Sequence, residues 1–177
     1  MPDIENVPRH VLQGPDVWMG ETARASDAWV HHFSDAEVAE VDSAYRSAIE
    51  AGATLGTLTR EQFPLPAVGK ILATVQHELE EGWGLYLLRG IPVERYSKDD
   101  LRFIYWGFGL HLGTAVSQSK RGDVLGDVRD LGTGLDGPKF RGYTSAGELT
   151  YHADAADVTG LFCLQPAKKG GLSRIVS

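Results

Sequence analysis

His152 and Asp154 are the residues whose types and spacing most directly suggest chemistry. They stand two apart in Tyr151-His152-Ala153-Asp154, and in an extended segment side chains two apart point to the same face. An imidazole nitrogen and a carboxylate oxygen can therefore converge on one cation. A second histidine would complete the facial triad that leaves positions open on Fe(II) for a cosubstrate and oxygen. Zinc would accept similar ligands but supplies no redox chemistry.

The surroundings of this pair strengthen the metal hypothesis. His-x-Asp alone is a weak signal, because the two residue types often meet at that spacing in exposed loops. Here the pair follows a glycine-rich stretch and Glu148-Leu149-Thr150, and an apolar segment that predicts a strand comes soon after it. Ligands at the mouth of a small β-barrel would be held in this way.

Composition and charge restrict the class of protein. The 177 residues, 42% of them hydrophobic, are typical of a single globular domain. A formal net charge of -7 disfavours nucleic-acid binding, which uses clustered Lys and Arg against phosphate. No apolar stretch is long enough to span a bilayer, and the first residues lack the order of a signal peptide. We therefore expect no membrane association and a cytoplasmic location.

Residues 1–32 predict an irregular arm, and residues 33–113 predict helices and the first core strand. The pair His31-His32 in the arm is expected to be solvated, since neighbours in sequence point in different directions. One helix should begin after Ser34, which forms a capping-box pattern with Glu37. Others should begin at Val68 and after Ser97, and residues 85–89 predict a buried strand between them. The side chains expected to face the core are Val38, Val41, Tyr45 and Ile49 in the first helix, Val68, Ile71, Leu72, Val75 and Leu79 in the second, and Leu101, Ile104, Tyr105 and Phe108 in the third.

Residues 114–177 predict short strands joined by glycine-rich loops. Strands are expected at 123–130, 159–164 and 172–176, with a turn at 165–171. Cys163, the only cysteine, lies in an apolar run and is expected to be buried and inert. His111, near the end of the third helix, is expected to have a structural role. The pattern indicates antiparallel β architecture within one domain of residues 1–177.

Three motifs in this order resemble the taurine dioxygenase-like (TauD/TfdA) family. Residues 85–93, with the helix that ends before Gly113, are similar to the family's first core strand and the helix that follows it. Residues 148–154 are similar to its metal motif, and Gly170-Gly171-Leu172-Ser173 resembles its Gly-Gly-x-Ser/Thr turn. The resemblance extends from about Trp83 to the last residue and identifies the chain as the N-terminal portion of such a domain.

The resemblance implies an α+β fold with a double-stranded β-helix core, a cupin-like jelly roll, incomplete at its C-terminus and flanked by N-terminal helices. It implies Fe(II) held by His152 and Asp154, 2-oxoglutarate bound with help from the Ser173 hydroxyl, and molecular oxygen. The implied reaction hydroxylates an unactivated C–H bond of a small organic substrate, with no catalytic side chain besides the ligands. Ordinary structural roles are at least as common for the candidate substrate contacts, which are Gln118, Arg141, Tyr143, Glu148 and Asp157.

The family's distal histidine and its 2-oxoglutarate-binding arginine have no counterpart here. No histidine follows His152, and Arg174 comes too soon to be that arginine. Three accounts are open: a fragment of a full oxygenase, which we favour, a barrel completed by a second chain, or a degenerate protein. The rival function is a non-catalytic β-helix module for binding or assembly with an incidental His-x-Asp pair. A zinc-dependent hydrolase on the same barrel is a third hypothesis.

Overall fold

The computed structural model describes residues 11–117, 122–130, 132 and 148–177. The chain forms two compact units, one of Met1–Leu112 with Cys163–Ser177 and one of Gly113–Phe162. Among the described residues, every helix and strand belongs to the first unit. This unit contains both helices and strands, so the described part of the chain is of the α+β class. The elements are α1 (Gly20–Ala25), β1 (Val30–His32), α2 (Asp35–Glu50), α3 (Val68–Glu80), β2 (Leu87–Arg89), a 3-10 turn (Val93–Arg95) and α4 (Lys98–Leu112). Over the same residues, we find no helix with the length and apolarity that crossing a membrane would require.

Helix α2 begins with the capping box that the sequence predicts. The Ser34 hydroxyl accepts a hydrogen bond from the backbone N–H of Glu37, and the Glu37 carboxylate accepts one from the Ser34 N–H at 2.7 Å. Two of the N–H groups that a helix start leaves unpaired are thereby satisfied. The chain leaves the helix at Gly52, whose φ of 76° suits a residue without a side chain.

The hydrophobic core of the first unit lies among α2, α3 and α4. Its most deeply buried side chains are Phe63, Leu72, Ile104, Val41 and Val68. The predicted stripes of α3 and α4 are largely confirmed, although Tyr105 is only half-buried.

On α2 the prediction is correct for Val38 and Val41 and wrong for Ile49, which is 45% exposed. Ala44 and Ala48 occupy the inner face instead. These small side chains allow close helix packing, and residue 49 lies one step around the helix from Ala48, toward solvent.

The two short strands pair in parallel, with Val30 opposite Leu87 and His32 opposite Arg89. The predicted strand at 85–89 is therefore confirmed in its last three residues, although these are half-buried or exposed rather than buried. The prediction of an irregular arm is wrong for residues 20–25 and 30–32, which form α1 and β1. Elements of six and three residues are too short to show a period, and β1 depends on a partner far along the chain.

The strands predicted at 123–130, 159–164 and 172–176 are absent from the structure, which describes all three segments without strand pairing. A strand exists only where a second strand satisfies its backbone N–H and C=O groups, and the described residues of this region supply no such partner. Apolar side chains here face solvent, including Val128 at 65%, Leu161 at 76% and Leu172 at 85% exposure. The turn at 165–171 does bend the chain, with both Gly170 and Gly171 at positive φ.

Cys163 is exposed, so the prediction of a buried thiol is wrong. Its neighbours Phe162 and Leu164 are half-buried. Successive side chains of an extended segment point to opposite sides, and this alternation turns Cys163 outward. The apolar run indicated burial of the segment but not which of its side chains would be buried.

Candidate metal centre

His152 and Asp154 lie in the second compact unit, on an irregular segment rather than on a strand. Their side chains converge as the spacing predicts, with 3.8 Å between His152 Nε2 and Asp154 Oδ1. The two side chains are 56% and 53% exposed, so the pair is accessible from solvent.

The backbone of the same segment positions the imidazole ring. His152 Nδ1 lies 2.8 Å from the carbonyl oxygen of Thr150, a hydrogen-bonding distance. This contact leaves the other ring nitrogen, Nε2, on the side of Asp154. Side-chain patterns gave no indication of Thr150, because its contribution comes from a backbone oxygen that every residue type carries.

The separation of the two donors fits a shared ion. Imidazole nitrogen and carboxylate oxygen bind metals such as zinc at about 2.0–2.2 Å, so two donors of one ion stand no more than about 4 Å apart. The observed 3.8 Å meets that limit, while it exceeds a hydrogen-bond distance. Within residues 11–117, 122–130, 132 and 148–177, no group of three or more His, Cys, Asp or Glu side chains could hold a metal. The pair thus offers two donor atoms, one fewer than the three protein ligands of a facial triad.

The candidate cosubstrate ligand, Ser173, belongs to the first compact unit and is exposed. It follows the Gly170-Gly171 turn, where a Cβ on Gly171 would come within 2.6 Å of the Ala167 Cβ. The turn therefore requires glycine at position 171, both for its positive φ and for space.

The candidate substrate contacts divide into two groups. Glu148 and Asp157 lie on the second unit with exposed side chains. Gln118, Arg141 and Tyr143 lie outside the described residues. Their assignment to the substrate stays a prediction.

His111 has the structural role that the sequence predicts. Its Nε2 lies 2.8 Å from the carbonyl oxygen of Phe63, so the ring bonds the end of α4 to the loop before α3. The candidate metal ligands are therefore His152 and Asp154.

A groove along α2 also contains ionisable side chains, but they satisfy one another. The Tyr45 hydroxyl donates to Asp100 and the Tyr96 hydroxyl donates to Asp42. Because each carboxylate already has a donor, we propose no chemistry for this groove.

Comparison with known proteins decides the family. A sequence model of the family described as "Taurine catabolism dioxygenase TauD, TfdA family" matches residues 49–177. The chain belongs to the TauD/TfdA family. The family's fold is cupin-like, and its enzymes use Fe(II), 2-oxoglutarate and O2.

Two curated relatives of this TauD-family chain match nearly all of it. FR-33289 synthase of Streptomyces rubellomurinus is 36% identical over 167 residues, which cover 94% of this chain and 49% of the relative. Taurine hydroxylase-like protein SAT17 of Stachybotrys chartarum is 27% identical over 167 residues, covering 90% of this chain and 43% of the relative. The chain thus spans about half the length of the curated relatives it matches.

Proposed function

We propose that this chain is the metal-binding N-terminal portion of an Fe(II)- and 2-oxoglutarate-dependent dioxygenase, which hydroxylates an unactivated C–H bond of a small organic substrate. The observation that carries the proposal is the convergence of His152 Nε2 and Asp154 Oδ1 to 3.8 Å. The membership of residues 49–177 in the TauD/TfdA family supports it.

When bound, Fe(II) would supply the redox chemistry by which O2 oxidises both 2-oxoglutarate and the substrate. One oxygen atom enters succinate as 2-oxoglutarate loses CO2, and the other converts the substrate C–H into C–OH. His152 and Asp154 would bind the ion through Nε2 and a carboxylate oxygen. The Ser173 hydroxyl would donate a hydrogen bond to 2-oxoglutarate.

The substrate is proposed to be a small polar molecule. Arg141 offers a cationic group, Gln118 and Tyr143 offer neutral hydrogen-bonding groups, and Glu148 and Asp157 offer carboxylates. A set of this kind would orient the substrate by its polar groups and leave one carbon facing the iron.

We further propose a double-stranded β-helix that additional strands complete, either from a C-terminal half or from a second chain. These strands would carry the third metal ligand and the arginine for 2-oxoglutarate. The apolar side chains that the described part of residues 113–177 exposes support this proposal, because further strands would cover them. They are Val116, Val124, Val128, Leu149, Tyr151, Val158, Leu161, Leu172, Ile175 and Val176.

An anaerobic titration tests the proposed function. The test protein carries residues 1–177 together with whatever sequence follows Ser177 in its reading frame. Fe(II) with 2-oxoglutarate should give the weak visible charge-transfer band of a chelated complex. The H152A variant should lose the band, while H32A, which removes an exposed histidine of β1, should keep it.

Two results would count against the dioxygenase. Absence of the band in a folded protein would favour the non-catalytic module. Hydrolysis of a substrate in the absence of O2 and 2-oxoglutarate would favour the zinc hydrolase. A band that persists in H152A would remove His152 from the iron site.

A further inference from the structure

We infer that the backbone carbonyl of Thr150 sets the tautomer of His152, holding the ring proton on Nδ1 so that Nε2 is presented as a bare electron-pair donor. Thr150 is thus a positioning residue that acts through His152. The role of this tautomer in metal binding rests on the proposed function. The tautomer itself is a property of the metal-free chain.

The contact between His152 and Thr150 fixes the position of the ring proton. A carbonyl oxygen can only accept a hydrogen bond, so the 2.8 Å distance from His152 Nδ1 requires a proton on that nitrogen. A neutral imidazole carries one ring proton. Nε2 of the neutral ring therefore has an exposed lone pair.

Asp154 does not orient the ring through a hydrogen bond. An ionised carboxylate also only accepts hydrogen bonds, and its Oδ1 stands 3.8 Å from Nε2. In a hydrogen-bonded His-Asp pair, Nε2 would carry the proton and lie about 2.7–2.9 Å from the oxygen. The observed arrangement instead directs two electron-pair donors at one space, and this suits a cation.

Two other histidines of the same chain make their ring contacts through Nε2. His111 Nε2 lies 2.8 Å from the Phe63 carbonyl, and His31 Nε2 lies 3.1 Å from Glu37 Oε2. Both contacts require the proton on Nε2, which is also the preferred position in free histidine in water. His152 is therefore set to the less common tautomer.

This preset tautomer has a consequence for metal binding. Metal-binding histidines commonly donate their second ring N–H to a carboxylate, carbonyl or water, and loss of that partner typically lowers affinity about 10–100-fold. With the proton already on Nδ1, His152 binds an ion through Nε2 without relocating a proton or turning its ring.

Nuclear magnetic resonance of the metal-free chain tests the inference. Long-range 1H–15N spectra of chain labelled with 15N-histidine, recorded where the imidazoles are neutral, report which ring nitrogen carries the proton. The H152A variant assigns the His152 signals. We expect Nδ1–H to predominate in His152 and Nε2–H in His31 and His111. Predominance of Nε2–H in His152, or the mixture of free histidine, would overturn the inference.

A backbone substitution isolates the role of Thr150. Incorporating the α-hydroxy analogue of tyrosine at position 151 replaces the amide after Thr150 with an ester, whose carbonyl is a weaker acceptor. We expect the His152 proton to shift toward Nε2 and the affinity for Zn(II) to fall up to about tenfold. The matched control places lactic acid at position 156 and should change neither quantity. An unchanged tautomer in the first variant, or an equal change in both, would contradict the role of Thr150.

The two measurements separate this inference from the proposed function. If the extended protein of the anaerobic titration carries Nδ1–H at His152 and binds no divalent ion, the dioxygenase proposal alone is contradicted. A chain that binds the ion through His152 but carries Nε2–H when metal-free would contradict the tautomer inference alone.

Discussion

The hydroxyl of Tyr45 on α2 donates a 2.6 Å hydrogen bond to Asp100 Oδ1 in the first turn of α4. The other oxygen of Asp100 accepts from the backbone N–H of Ser97, and Ser97 Oγ accepts from the Asp100 N–H. Asp100 therefore caps α4 and connects it to α2 at the same time. Burial, and then this hydrogen bond, raise the pKa of Tyr45 to about 12, while the bond lowers the pKa of Asp100 below its usual value.

Replacing Tyr45 with phenylalanine should lower the free energy of unfolding by about 1 kcal/mol. The variant Y45F keeps the ring but removes the donor to Asp100, and a hydrogen bond of this kind contributes about that much. Denaturant unfolding measures the change, and Y151F, on an exposed ring, should leave stability unaltered. Equal stability of Y45F and the parent chain would show that this hydrogen bond does not stabilise the packing of α2 and α4.

The capping box of α2 should make stability depend on pH in the acid range. The Ser34 N–H, foremost among several causes, lowers the pKa of Glu37 below 4.5. The folded chain thus binds this proton more weakly than the unfolded chain, and Glu37 adds stability above pH 4.5 that is lost as the pH falls through its folded value.

The variant E37Q should retain most of the cap but lose this acid dependence, because glutamine also accepts from the Ser34 N–H. By contrast, E37A should lose the cap and about 1 kcal/mol at neutral pH. Urea unfolding over a pH series checks both variants. An acid dependence that survives unchanged in E37Q would assign it to another group.

Two glycines of α4 should respond oppositely to alanine. A Cβ on Gly107 would come within 2.6 Å of the ring of Phe63, which is fully buried, so G107A should cost about 1–3 kcal/mol through overpacking. On the exposed side of the same helix, a Cβ on Gly109 meets nothing within 4 Å, and G109A should stabilise by about 0.5–1 kcal/mol. Thermal unfolding of both variants measures the contrast. Similar melting temperatures would contradict the close packing of α4 on Phe63.

The helices of the first unit could be predicted because their signals are local. Ser34 and Glu37 carry the capping box in their own side chains, and Val68, Leu72 and Val75 repeat at the spacing of one helix face. Strand β1 could not be predicted, since three residues have no period and their partner is Leu87–Arg89. For the same reason the alternation of Val124 and Val128 does not make a strand. Pairing depends on a second segment that no local pattern reveals.

The convergence of His152 and Asp154 could be predicted because it depends only on a spacing of two in an extended chain. The hydrogen bond from His152 to the Thr150 carbonyl could not, since it depends on the local backbone path and involves no distinctive side chain. The exposure of Cys163 was not predicted, for a related reason. The hydropathy of a segment indicates whether the segment is buried, whereas the direction of each side chain depends on the backbone conformation.

A double-mutant cycle of Co(II) affinity, measured on the same extended protein as the anaerobic titration, tests whether His152 and Asp154 hold one metal ion. If His152 and Asp154 hold one ion, H152A and D154A should each weaken binding by at least the 10–100-fold typical of lost outer-shell partners. The double variant should then be little weaker than either single variant, because removal of one ligand already dismantles the shared site. Binding as tight as that of the parent chain in either single variant, or losses that simply add, would contradict a shared metal site.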